Sequence, residues 1–344
     1  MRLLITGGAG FIGSHLADAL IDQGCHVIAV DNLSLGREAN LAHLHGHPRF
    51  RFQRLELLVD AELHRLFAAE SFDAVFHLAA NSDIARSHHD PDVDRDNSFA
   101  TTYAVLRAMK EHGTQQIVFA STSAIYGELR GPLSEGSGPL VPVSHYGAAK
   151  LASEAFISSF AANYDFRAWI VRFPNVVGGR ATHGAIHDFI AKLRRNPDVL
   201  EVLGDGRQIK PYLHVRDLVA AILLIWDKAG ERINVFNVGV ESRTSVKRIA
   251  EMVIEEMGLP ASIRYSGGSR GWIGDVPEFH YRMDRVHALG WRARASSDEA
   301  VRLAIREILE SHNEDPHSRR RQGDAPGLDG CAQTDGAHRR TDAA

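Results

Sequence analysis

The chain has 344 residues and a formal net charge of −4, with 44% apolar and 24% charged side chains. That length suits one large α/β domain with an extension, or two domains, and the weak charge speaks against a general nucleic-acid binder. The only cysteines, Cys25 and Cys331, exclude a disulfide framework and a cysteine-based zinc site. Residues 2–6 are a short apolar run with no signal peptide before it, and no apolar run is long enough to span a bilayer, so a cytoplasmic protein is expected. Further strand-like runs fall at 26–30, 49–53, 74–77, 116–120 and 167–172, with helical patterns at 12–22, 61–69, 98–111 and 145–162 between them. This alternation predicts parallel strands with crossover helices: an α/β, doubly wound sheet. Past Pro174 the rhythm changes, and Gly178-Gly179, Gly204-Asp205-Gly206 and Gly267-Gly268 separate shorter elements. A helix at 215–228 and a strand at 232–238 look like a return to the first domain. The expected partition is therefore 1–174 plus about 213–238 for the sheet domain, and about 175–212 plus 239–312 for a smaller, discontinuous one. Gly204-Asp205-Gly206 reads as a hairpin turn. From residue 313 to 344 large apolar residues are nearly absent, the composition of a disordered tail.

The first strand runs into Gly7-Gly8-Ala9-Gly10-Phe11-Ile12-Gly13 and then a helix. Glycines at 7, 10 and 13 provide a tight turn, close backbone approach to a pyrophosphate and close helix–strand packing. The helix N-terminus adds free N–H groups and partial positive charge for the phosphates. Asp31 closes the next strand, where a carboxylate accepts from the adenosine ribose hydroxyls and repels a 2′-phosphate. These features predict a Rossmann domain that takes NAD.

Tyr146 and Lys150 open the helical pattern at 145–162, and a spacing of four puts them on one helix face. A phenol is a weak base near neutral pH, and a cationic neighbour favours its ionised form. On this reading Lys150 lowers the pKa of Tyr146 toward base chemistry.

Glycines spaced three and three, with Tyr146-x-x-x-Lys150, resemble the extended short-chain dehydrogenase/reductase family. His77-Leu78-Ala79-Ala80 is similar to that family's loop over the cofactor, and Asn97 opens the next helix as the family's Asn does. Ser121-Thr122-Ser123-Ala124-Ile125-Tyr126-Gly127 matches the segment with the catalytic hydroxyl, which maps to Ser123. Arg172-Phe173-Pro174-Asn175 resembles the stretch that reaches nicotinamide and substrate phosphates. The likeness spans roughly residues 1–312. It implies that Tyr146 exchanges a proton with a sugar hydroxyl, that Lys150 holds the nicotinamide ribose, and that Ser123 hydrogen-bonds the reacting oxygen. It implies cofactor contacts from Phe11, Ile12, Asn32, Leu78, Ala79, Ala80, Asn97 and Phe173, with Glu56 and Leu57 by the adenine; the family usually has Asp at the position of Glu56. Ser82, Asn175 and His183 are assigned to the substrate. Lys210, in Lys210-Pro211-Tyr212-Leu213-His214-Val215, stands where the family often has an Arg for phosphate. Arg270, before Trp272-Ile273-Gly274-Asp275, is a second candidate for the pyrophosphate.

The residue after Ser123 bears on the reaction. Dehydratases of the family resemble Thr-Asp-Glu here, because elimination of water needs an added acid and base. Decarboxylases usually place a Glu after the Ser. Ala124 instead resembles nucleotide-sugar 4-epimerases, with UDP-glucose/UDP-galactose as the lead pair and cell-surface polysaccharide synthesis as the broader setting. A dehydratase or reductase of the same family, and a non-catalytic NAD-binding sensor, remain the alternatives. His43, His45 and His47 make a poor metal pattern, and the four-residue step from His183 to His187 is read as substrate contact, not metal. The resemblance also implies a homodimer through the helices at 98–111 and 145–162, whose candidate outer residues are Tyr103, Leu106, Phe156 and Phe160.

Overall fold

The structure, a computed structural model, describes residues 1–82, 87, 89–268 and 280–313. Arg270 and the tail beyond Asn313 lie outside the described residues. In chain order the strands are β1 Arg2–Thr6, β2 His26–Asp31, β3 Phe50–Arg54, β4 Ala74–His77, β5 Gln116–Thr122, β6 Arg167–Phe173 and β7 Asn175–Val177. They continue as β8 Val199–Val202, β9 Ile209–Lys210, β10 Tyr212–His214, β11 Ile233–Asn237, β12 Thr244–Ser245 and β13 Ser262–Tyr265. The longer helices are α1 Phe11–Asp22, α2 Asp60–Ala69, α3 Thr101–His112, α4 His145–Tyr164, α5 Ala185–Arg195, α6 Val215–Lys228 and α7 Val246–Met257, followed by α8 Asp284–Ala288 and α9 Ser297–Asn313.

Seven strands form one parallel sheet in the order β11-β6-β5-β4-β1-β2-β3. Its inner strands are apolar along nearly their whole length because helices cover both faces. Alternation then sorts their side chains: Leu3 and Ile5 pack with Leu16, Leu20, Leu218 and Ile222 on the α1/α6 face. Leu4 packs with Leu63, Val105, Met109 and Ile157 on the α2/α3/α4 face. Strand order reverses between β1 and β4, and the crevice at such a switch point is where α/β sheets bind ligands. The strand predicted at 232–238 is β11, paired with β6 at the sheet edge.

A separate apolar cluster joins α5, β8, α7 and α9 through Phe189, Leu193, Leu200, Met252, Val253 and Ile305. Here the hairpin reading of Gly204-Asp205-Gly206 is corrected. The strand before it, β8, pairs in parallel with the distant β13, and β9 after it pairs with β12. Gly204 and Gly206 turn the chain out of one ladder into another at φ +79° and +74°. The helix expected from residue 98 takes α-helical bonding only at Thr101; residues Arg95–Ala100 form one wider, π-helical turn that carries Asn97.

The outer faces of α3 and α4 also sort differently from the candidate set. Tyr103 and Phe156 are each 40% exposed and meet edge to face at 5.5 Å, whereas Leu106 and Phe160 are buried. Leu106 and Phe160 point into the α2/α3/α4 core.

Candidate active site

A cavity of about 770 Å3 runs from the glycine turn to the α5/β9 side of the molecule. Its glycine end is formed by backbone. Gly7 adopts φ +70°, and a Cβ there would lie 2.7 Å from the Ala79 nitrogen. A Cβ on Gly13 would collide with the Gly7 carbonyl oxygen. The turn is therefore packed directly on the Leu78–Ala79 loop and on its own helix, leaving the α1 N-terminus facing the cavity. This cradle fits a pyrophosphate, since the close packing brings the free N–H groups of the α1 N-terminus to the cavity.

Asp31 is buried, and each carboxylate oxygen already accepts a backbone amide: Oδ2 from Ala9 at 3.1 Å and Oδ1 from Leu33 at 2.8 Å. Burial raises its pKa, and these amide bonds oppose that rise. Asp31 thus fastens the glycine turn to the end of β2, with lone pairs left over for ribose hydroxyls. Asn32 Nδ2 donates to Glu56 Oε2 at 2.8 Å, holding Glu56 at the cavity wall beside Leu57. Under the Ala79 loop, His77 is fully buried; its Nδ1 is 2.6 Å from Thr6 Oγ1 and its Nε2 is 3.0 Å from Thr102 Oγ1. Thr102 gives its own proton to the Ser98 carbonyl at 2.7 Å, so we assign the His77 proton to Nε2, with Thr6 donating to Nδ1. Burial, helped by the Lys150 charge, pushes the His77 pKa down to about 3 and keeps the ring neutral.

Tyr146 and Lys150 enter from the first turn of α4. Ser144 caps that helix, its hydroxyl accepting from Gly147 N at 3.1 Å. Gly147 lets the turn sit against the Ser123–Tyr126 segment: a Cβ there would lie 2.7 Å from the Ala124 carbonyl oxygen. In this structure burial, not Lys150, dominates the Tyr146 phenol. Burial pushes the Tyr146 phenol up to about 12, a hydrogen bond from Thr122 opposes the rise, and the Asp94 charge adds to it. The Lys150 ammonium lies 6.0 Å from the centre of the Tyr146 ring and 4.6 Å from that of Phe119, and donates to the Ala120 carbonyl at 2.7 Å. Burial pushes Lys150 itself down to about 7, against the pull of Asp94 and Glu154.

Of the residues expected from sequence, Gly7, Gly10, Phe11, Ile12, Gly13, Asp31, Asn32, Glu56, Leu57, Leu78, Ala79, Ala80, Asn97, Tyr146, Lys150 and Phe173 line this one cavity. So do Ser82, Asn175, His183 and Lys210 on the substrate side. Ser123 does not line it; it is buried and opens the short helical turn after β5. Arg172 does not line it either. Alternation along β6 turns it to the face opposite Phe173, where it pairs with Glu154 at 2.6 Å and donates to Tyr126 Oη at 3.0 Å. Thr122, Asp94 and Gln208 were not singled out from sequence. Thr122 precedes the expected hydroxyl, and nothing local marks the other two.

The two halves of the cavity are joined at Gly179. Its N–H donates to Glu307 Oε2 on α9 at 2.7 Å, and its carbonyl lies 3.0 Å from His15 Nε2 on α1. Arg180, in the left-handed region at φ +67°, pairs with Asp18 of α1 at 2.8 Å. These contacts fix the segment from Ala181 to Gly184 along the cavity wall. Among the described residues no cluster of three His, Cys, Asp or Glu side chains is placed to hold a metal ion, and no helix is long and apolar enough to cross a membrane.

A glycine cradle at the switch point, an acid at the end of β2 and a Tyr–Lys pair on α4 define a dinucleotide-dependent enzyme of the extended short-chain type. The model of the NAD dependent epimerase/dehydratase family matches residues 3–239, and the chain belongs to that family, with NAD as its cofactor. It is 32% identical over 341 residues to the UDP-glucose 4-epimerase of Halalkalibacterium halodurans, covering 92% of this chain and 97% of that one. Among solved structures it is similar to a UDP-galactose 4-epimerase at 37% identity and a TM-score of 0.80, covering 90% of this chain and 99% of the other. It is also similar to the dTDP-glucose 4,6-dehydratase DesIV of Streptomyces venezuelae, solved with NAD, at 26% identity and a TM-score of 0.83, covering 91% and 98%.

Proposed function

We propose that this protein is a 4-epimerase of a nucleotide-linked hexose, with UDP-glucose and UDP-galactose as the lead pair. The observation that carries the reading is the make-up of the Tyr146 site. It holds a phenol, an ammonium and the hydroxyl of Thr122, and the segment that follows runs Ser123-Ala124-Ile125 where elimination of water would need an acid and a base. The 4-epimerases with which the chain shares about a third of its residues support the same reading.

NAD, when bound, supplies the acceptor that takes one hydride from the sugar carbon and gives it back. The residues of the chain do the rest. Tyr146 takes the proton of the C4 hydroxyl as the C–H bond breaks, and returns it when the carbonyl is reduced from the other face. The family resemblance assigns Ser123 as the donor to the reacting oxygen, a role that requires its hydroxyl to turn from its buried place into the cavity. Lys150, one helical turn from Tyr146, holds the nicotinamide ribose and favours the phenolate once it turns from Ala120. The proton ends where it began and no reductant is consumed. The glycine cradle and Asp31 retain the dinucleotide, and Lys210 meets a phosphate of the substrate.

Tyr146→Phe tests this directly. Turnover of the true substrate is expected to fall by about 10² to 10⁴ while nucleotide binding persists. Unchanged turnover would sink the assignment. The exposed Tyr103–Phe156 pair supports a homodimer through α3 and α4; a monomer in light scattering at micromolar concentration would argue against it.

A further inference from the structure

Gln208 precedes β9 and is 5% exposed, yet neither its carboxamide nitrogen nor its carboxamide oxygen has a hydrogen-bond partner. Folded proteins rarely keep a buried donor and acceptor unpaired without a use for them. The side chain lines the cavity at the end remote from the glycine turn, near Leu203, Lys210 and Val246. It is closely confined. Its Nε2 lies over Gly204, where a Cβ would collide with it, and Gly204 is tied down by its N–H bond to Ser266 Oγ at 2.9 Å. The Gln208 backbone carbonyl accepts from Val246 N at 3.0 Å.

The surroundings select the ligand group. Leu203 exposes 60% of its surface, an unusual state for a leucine at a cavity wall. It offers apolar contact to something flat, and Lys210 offers charge. A sugar face needs several polar partners, whereas a planar heterocycle needs apolar cover and one or two hydrogen bonds at its edge. A carboxamide presents an N–H donor beside a C=O acceptor. An imide edge presents the complement, a ring N–H beside a carbonyl.

We propose that Gln208 reads the nucleobase of the substrate, pairing its carboxamide with the imide edge of uracil or thymine. This rests on the nucleotide-sugar reading above and adds the residue that recognises the base. Two neutral hydrogen bonds at this site correspond to about 10- to 100-fold in affinity.

The test uses NAD-saturated protein and calorimetric titration with UDP, dTDP and uridine. Gln208→Met keeps the length of the side chain and removes both polar groups. UDP and uridine are expected to weaken by the same factor, about 10- to 100-fold, while the melting temperature without nucleotide holds or rises because an unpaired amide has left the interior. Equal weakening for dTDP assigns the shared imide edge, and weakening confined to UDP assigns uracil. Gln208→Glu keeps the shape, loses the donor and sets a charge against the base carbonyl, so it also weakens UDP and serves if the Met variant does not fold. Wild-type protein that binds UDP, with both variants binding it equally well, overturns the role of Gln208 alone. Wild-type protein that binds NAD but neither UDP nor dTDP overturns the nucleotide-sugar reading and this proposal with it.

Discussion

The two ends of the cavity are built from different materials. At the glycine end, backbone packs on backbone: Gly7 on Ala79, Gly13 on Gly7, with Asp31 and His77 stitching the loops below. At the far end, side chains line the cavity, among them Lys210 on β9 and the unpaired Gln208 just before it. A site made of packed backbone serves an invariant ligand, because any added atom collides. One made of side chains can be retuned residue by residue, and that suits the part of a substrate that varies across a family. Changes at or beneath the first end are therefore expected to cost stability, and changes at the second to cost affinity.

The largest stability effect should come from the buried ion pair beneath the Tyr146 helix. Glu154→Gln leaves the Arg172 guanidinium buried without its charge partner, and a guanidinium is too basic to shed its proton in response. Breaking such a pair costs about 3–5 kcal/mol, measurable by denaturant unfolding. A loss under about 0.5 kcal/mol would show that this network is not part of the frame.

The next effect is a pH dependence. His77 has a folded pKa depressed to about 3 against an ordinary value of 6.5. Between those values the unfolded chain binds a proton that the folded chain refuses, so this group makes stability rise with pH across that window and fall on acidification. One such site contributes a slope approaching 1.4 kcal/mol per pH unit in the middle of the window. His77→Gln is expected to flatten the slope between pH 4.5 and 6, whatever it does to stability at pH 7. An unaltered slope would mean that other groups govern the acid limb.

The smallest stability effect belongs to the far end. Lys210→Met should change unfolding free energy by about 1 kcal/mol or less, well below the cost at Glu154. It should weaken UDP roughly tenfold or more, because a charge-assisted hydrogen bond to phosphate is lost. If that variant loses stability while keeping affinity, the contrast between the two ends is wrong.

The same contrast explains what could be read in advance. The strands of the sheet are local apolar runs, the glycine turn is local geometry, and Tyr146 and Lys150 share one helical turn; all depend on neighbours in sequence. What escaped depends on distant partners. The pairing of β8 with β13 cannot be seen from Gly204-Asp205-Gly206, which reads alike in a hairpin and in a crossing between ladders. Strand alternation does place Arg172 on the Ile170 face, away from Phe173, but its partner Glu154 lies on another element. The pKa of Tyr146 moves opposite to the simple expectation because burial and Asp94 outweigh Thr122, and Lys150 is turned to Ala120. Gln208 carries no periodicity and no motif; only its missing partners distinguish it.

The most direct test of the account is product analysis by NMR and mass spectrometry on a panel of nucleotide sugars, with the NAD-loaded protein and no added reduced cofactor. The account predicts that UDP-galactose and UDP-glucose interconvert to the same equilibrium mixture from either side, with no change in mass and no net NADH. Loss of water from the sugar, a stoichiometric demand for reduced cofactor, or binding without any turnover across the panel would contradict it.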